Sequence, residues 1–251
     1  MGAGRSTPVD ANNNRQVPTI THVVFDLDGT LIDSEEQYYK LQVDTLRKFG
    51  KEFTIEMKRK LLGVTTDKEV ELLIAMNGLE VTRAQYLQEY ESQYEHYLSQ
   101  CPALPGANKL ITHLHATGVP MAICTNSTRL QFNIKTSRQY GKWLQMIPLQ
   151  VVAASDPAVK RPKPAPDPYF VTMERFEKKP KSPKNVLVFE DSITGARSAI
   201  DAGCMVILIP QPHFNTPEMH EQIEKLRPHL AAVLNQMVDF VPDQYGLPPF
   251  K

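Results

Sequence analysis

The chain has 251 residues, 41% of them hydrophobic, and its 28 basic residues balance 28 acidic ones. Such a chain can bury a sizeable core, as one large domain or as a domain carrying an insert, which excludes a disordered body. A net charge of zero argues against nucleic-acid binding driven by bulk charge, and no apolar run is long enough to span a membrane.

Residues 1–18 are polar and aperiodic and are expected to form a disordered tail without a secretory signal. The opening MGAGRS fits the pattern for N-myristoylation at Gly2. A chance match is the plainer reading, and one acyl chain would anchor only weakly. ITHVVF (20–25) reads as a short buried strand, followed at once by Asp26 and Asp28. Ser34 with Gln37 suggests a capping box opening a helix that Gly50 stops. Two short helices, IEMKRKLLG and DKEVELLIAMNG, come next. Thr82 with Gln85 then caps one long amphipathic helix carrying Tyr86, Leu87, Tyr90, Tyr94, Tyr97 and Leu98 on one face, a stripe that reads as packing. Residues 34–102 thus form a helical block without a strand. Its polar break GVTTDKE (63–69) reads equally as an interhelical loop or as a segment facing a cleft.

From residue 103 onward, helices alternate with apolar, β-branched strands: VPMAIC, LQVVAA, NVLVF and MVILI. Pro168 is expected at the first position of a helix capped by Asp167, and Thr216–Pro217 opens another. The alternation predicts an α/β fold with a parallel sheet covered on both faces. The expected division is a tail (1–18), a core (19–33 and 103–251) and a helical cap (34–102). A cap inserted directly after the first strand would sit over the carboxyl ends of the strands, where open α/β sheets bind ligands. Cys101, Cys124 and Cys204 show no paired spacing, which suits reduced thiols and a cytoplasmic location.

The strand ends carry the chemistry. Asp26 and Asp28 follow the first strand, Thr125, Asn126 and Ser127 the second. The third is followed by SDPAVKRPKPAPD with Lys163, and the fourth by Glu190 and Asp191. Four acids gathered at one sheet edge need a cation, and an oxygen-only donor set suits Mg²⁺. A calcium loop is rejected, because glycine falls at position four (Gly29) and position twelve is Gln37. Thr125, Asn126 and Lys163 could bind the oxygens of a phosphate, one aspartate could attack phosphorus, and the other could carry protons. Singly, each piece has a plain alternative as a helix cap, a solvated loop lysine or a chance acidic pair. Their order at successive strand ends is what favours a site.

DLDGTLIDSE (26–35), CTNS (124–127), KPAPDPYF (163–170) and VFEDSITGARSAIDAG (188–203) resemble the four motifs of the haloacid dehalogenase superfamily of phosphatases. HLHATGVP, SDPAVKRPKPAPD, VFEDS and FVPDQYGLPPF resemble its pseudouridine-5′-phosphatase-like branch. The resemblance implies a Rossmann-like core with a small helical cap and a Mg²⁺-dependent phosphomonoesterase. Asp26 would be the nucleophile and Asp28 the general acid and base. Thr125 and Asn126 would bind phosphate together with Lys163. Mg²⁺ would be held by Asp26, the Asp28 carbonyl and Asp191, with Glu190 beside them. The chain departs from the pattern at Pro162, where glycine is usual, leaving Lys160 and Arg161 as rival cations, and at Asn126, where the branch more often has serine. The substrate implied is a small phosphorylated metabolite, pseudouridine 5′-phosphate first, acted on by a monomer with no nucleic-acid or membrane partner. A sugar phosphomutase is the first alternative. A non-catalytic binding protein is the second, opposed by the presence of Asp26, Asp28 and Lys163.

Overall fold

The computed structural model describes residues 19–61, 66–137, 140–211 and 216–251. The expected tail with Gly2, and the part of the 63–69 break up to residue 65, lie outside these.

Six parallel strands form the sheet: β1 (His22–Phe25), β2 (Met121–Thr125), β3 (Leu149–Val152), β4 (Val186–Glu190), β5 (Met205–Leu208) and β6 (Ala232–Val233). Their spatial order is β3-β2-β1-β4-β5-β6. β1 lies between β2 and β4, with Phe25 level with Ile123 on one side and Phe189 on the other. The chain winds outward from β1 to β3 and then returns to start β4, so the winding reverses between β1 and β4. Crevices at such reversals are where open α/β sheets bind ligands.

Side chains alternate between the two faces of the sheet. Val23, Phe25, Ile123, Leu187 and Phe189 face one cluster, with Leu110, Ile111 and Leu114 of α6 (Ala107–Ala116) and Trp143 of α8 (Gly141–Met146). Phe25 and Phe189 stack there at 5.3 Å. Val24, Ala122, Cys124, Val151 and Val188 face the other cluster, with Tyr169 and Met173 of α9 (Asp167–Arg175), Ala196 and Ala199 of α10 (Ile193–Asp201) and Ile223 of α11 (Pro217–Leu226). Both faces are therefore apolar, which explains why the strands read as continuous hydrophobic runs.

Between β1 and α6 lie α1 (Glu35–Lys48), α2 (Ile55–Leu61), α3 (Thr66–Asn77), α4 (Arg83–Ser92) and α5 (Tyr94–Leu98). They bury a cluster of their own around Leu41, Leu46, Leu73, Tyr86, Tyr90 and Tyr94. The capping box of Thr82 and Gln85 is present, and Gly50 and Gly78 take positive φ where α1 and α3 end.

Three local expectations are corrected. Ser34 precedes α1 but makes no side-chain cap, because its hydroxyl is turned to Asp28. The tyrosine helix is broken at Gln93: the Ser92 hydroxyl donates back to the Glu89 carbonyl at 2.7 Å, and the Gln93 amide reaches Thr45 Oγ1 at 2.9 Å. α9 begins at Asp167 rather than being capped by it, and the Asp167 carboxylate is bound by Arg161. No described helix is long and apolar enough to cross a membrane.

Candidate active site

The turn after β1 is held tightly. The Leu31 and Ile32 amides donate to the Leu27 carbonyl at 3.0 and 3.1 Å, and the Gly29 amide donates to Ile32 at 2.8 Å. Gly29 has a φ of 77°, and a Cβ there would stand 2.0 Å from Asp191 Oδ2. Glycine is thus needed twice over, for its backbone conformation and for the approach of an acid from the far side of the site. Gly195 serves the same end on α10, where a Cβ would lie 2.0 Å from Glu190 Oε2.

The strand ends converge as expected. Asp26 (directly after β1), Lys163 (the loop before α9) and Glu190 (the last residue of β4) form one buried network. Lys163 Nζ donates to Asp26 Oδ1 at 2.7 Å, Glu190 Oε1 at 2.6 Å and the Cys124 carbonyl at 2.7 Å. Tyr169 donates to the same Glu190 oxygen at 2.5 Å. Burial works against the Lys163 charge, but Asp26 and Glu190 outweigh it and raise its pKa. Of the rival cations, Arg161 pairs outward with Asp167 and Lys160 is exposed. The Pro162 departure therefore leaves Lys163 at the centre.

Asn126 is placed differently from a free phosphate donor. Its amide nitrogen donates to the Lys163 carbonyl at 3.1 Å, and its oxygen accepts from the Lys163 amide at 3.1 Å. The side chain clamps the lysine loop. Thr125 Oγ1 accepts from the Ser127 amide at 3.1 Å.

The two aspartates of the first motif have opposite surroundings. Burial, with repulsion from Glu190 and Asp28, pushes the Asp26 carboxyl up to about 7 despite Lys163. Burial would raise Asp28 too, but Lys135, with hydrogen bonds from Ser127 and Ser34, holds it below its ordinary value. Asp28 accepts from Lys135 Nζ at 2.6 and 2.7 Å and from Ser127 Oγ at 2.7 Å. Lys135 lies on α7 (Arg129–Ser137). Sequence reasoning missed it, since a lysine at that distance from the motifs carries no local signal.

Asp26, Glu190 and Asp191 bring carboxylate oxygens within 4.8 Å of one another. Burial first, then repulsion from Asp26 and Glu190, hold the Asp191 carboxyl well above its ordinary value. Three converging carboxylates with one ammonium among them are a donor set that a divalent cation would satisfy. The Asp28 carboxylate is not in that group. A cavity of about 450 Å³ opens in front of it. Its floor includes Asp26, Asp28, Thr125, Lys163 and Asp191, and its opposite wall is made by Glu35, Tyr38, Tyr39, Gln42, Phe53, Lys58, Glu69 and Tyr90. Thr66 to Glu69 of the expected break belong to α3 instead, and Glu69 lines the cleft from that helix. Most of the tyrosine stripe packs within the helices, and Tyr90 also reaches the wall.

The family model described as haloacid dehalogenase-like hydrolase matches residues 23–209. An Arabidopsis thaliana (DL)-glycerol-3-phosphatase 2 is 33% identical over 93% of this chain and 94% of its own length. A Drosophila melanogaster protein named "Probable pseudouridine-5'-phosphatase" is 32% identical over 94% of this chain and 98% of its own. A family IA, variant 3 hydrolase from Entamoeba histolytica superposes with a TM-score of 0.72 at 21% identity, over 90% of this chain and 98% of that one, which bears on the fold.

Proposed function

The chain belongs to the haloacid dehalogenase-like hydrolases and is a phosphatase, and from that premise we propose that it is a Mg²⁺-dependent phosphomonoesterase working through an aspartyl-phosphate on Asp26. The observation that carries the proposal is the meeting of Asp26, Lys163, Glu190 and Asp191 at the winding reversal of the sheet, on the floor of a cleft roofed by α1–α4. Lys163 orients Asp26 and offers positive charge to an incoming phosphate, with the Thr125 hydroxyl beside it. Asp26 attacks phosphorus, and the P–O bond to the leaving oxygen breaks as Asp28 gives that oxygen its proton. Water then attacks the same phosphorus, Asp28 takes the proton of the water, and the bond to Asp26 breaks to release phosphate. Mg²⁺, held by Asp26, Asp191 and the Asp28 carbonyl with Glu190 beside them, would offset the charge of the carboxylates and of the phosphate. Residues 34–102 serve as the cap that selects the substrate.

Pseudouridine 5′-phosphate is the substrate proposed first, on the motif resemblance and the fly relative. Glycerol 3-phosphate is the second reading, favoured by the plant relative. Phosphate release with Mg²⁺, measured across pseudouridine, nucleotide, glycerol and sugar phosphates, tests both. A kcat/KM for pseudouridine 5′-phosphate well above the rest supports the first, and preference for glycerol 3-phosphate selects the second. Isomerisation of a sugar phosphate that requires a sugar bisphosphate and releases no phosphate would replace the phosphatase reading by a mutase.

A further inference from the structure

Lys135 has no part in the chemistry above, yet its side chain has no solvent exposure. A buried ammonium is costly unless it is paired. Its bonds all go to one corner of the site: both Asp28 oxygens at 2.6 and 2.7 Å, Ser127 Oγ at 2.8 Å and Tyr38 Oη at 3.3 Å. The two buried lysines divide the motif between them, Lys163 holding Asp26 and Lys135 holding Asp28.

We propose that Lys135 is a positioning residue that, with Ser127, fixes the Asp28 carboxylate in the direction from which it takes the proton of the hydrolytic water. The salt-bridged form is the one in which Asp28 stands after protonating the leaving oxygen and before water is cleaved. In that second step a water oxygen bonds to phosphorus, its proton passes to Asp28, and the P–O bond to Asp26 breaks. An Asp28 carboxylate held by Ser127 and Ser34 alone would be less firmly aimed, which leaves the first step possible and slows the second. The inference rests on Asp28 acting as the acid–base group, and the test separates the two.

The full chain, with Mg²⁺ and p-nitrophenyl phosphate, is quenched in acid and weighed intact for one added phosphoryl group. The nitrophenolate needs no proton to leave, so Asp28→Asn should form the adduct and retain it. Lys135→Met should carry about tenfold more adduct than wild type, with kcat lowered as the share of enzyme free of adduct falls, and Lys135→Gln, which keeps a donor, should fall between. The Met variant should fold, because the Asp28 side chain is 28% exposed and water can solvate it. Trapping in Asp28→Asn with wild-type adduct in Lys135→Met overturns the role of Lys135 and leaves Asp28 standing. No adduct in either variant removes the underlying reading and this proposal with it. If both lysine variants are unfolded by circular dichroism, Lys135 is a structural counter-ion and the proposal fails.

Discussion

Asp26 and Asp28 stand two residues apart and differ in almost everything that matters chemically. Asp26 is crowded by other acids and pushed up to about 7, whereas Asp28 is held down by its own lysine. A carboxyl whose pKa is raised on folding contributes stability at low pH and loses it as pH rises from its unfolded value, near 3.8, through its folded value. Asp26 and Asp191 are both raised, so the metal-free protein should lose stability between about pH 4 and 7. Mg²⁺ should therefore raise the melting temperature more at pH 8 than at pH 5; an equal shift at both would contradict the carboxylate cluster as the cation site. Gly29→Ala should cost about 1–2 kcal/mol from its backbone alone. It should also weaken Mg²⁺ binding in calorimetry, because the new methyl meets the Asp191 carboxylate. The sequence showed these acids because they directly follow strands. It could not show Lys135, or that the Asn126 amide is taken up by the Lys163 backbone, since both depend on elements brought together only by folding.

Among the elements, the helices after β1 were legible from glycine stops and from the Thr82 cap, all local chemistry. The Ser34 box failed because the hydroxyl is used across the site. The long tyrosine helix is interrupted at Gln93, whose side chain crosses to Thr45 of α1, a contact with no local signal in the sequence. α8 and β6 carried too few residues to announce themselves. The cleft wall rests on a polar chain buried among the helices: Tyr86 donates to Gln42 at 2.9 Å, and Gln42 donates to Glu69 at 2.8 Å. Glu69 is thus oriented rather than loose, and burial lifts its pKa. Glu69→Gln should raise KM for the preferred substrate roughly tenfold, the worth of one charge-assisted hydrogen bond. It should leave kcat for p-nitrophenyl phosphate unchanged. Equal losses on both would make Glu69 a structural group of the helices.

For the whole molecule, the strand order was not readable from the sequence, although the α/β class was. Alternation of strands and helices says that the sheet is parallel, but only the pairing of β1 with β4 places Glu190 and Asp191 beside Asp26. With the pairing of β1 with β2 on its other side, it turns four motifs scattered over 166 residues, Asp26 to Asp191, into one site. The central claim is that the Asp26 carboxylate is the nucleophile of this site. The direct measurement is phosphate release with Mg²⁺ by wild type and Asp26→Asn, after circular dichroism shows that both are folded. The asparagine keeps the shape and removes the attacking charge, so release should fall to background. Wild-type release by a folded Asp26→Asn protein would contradict it.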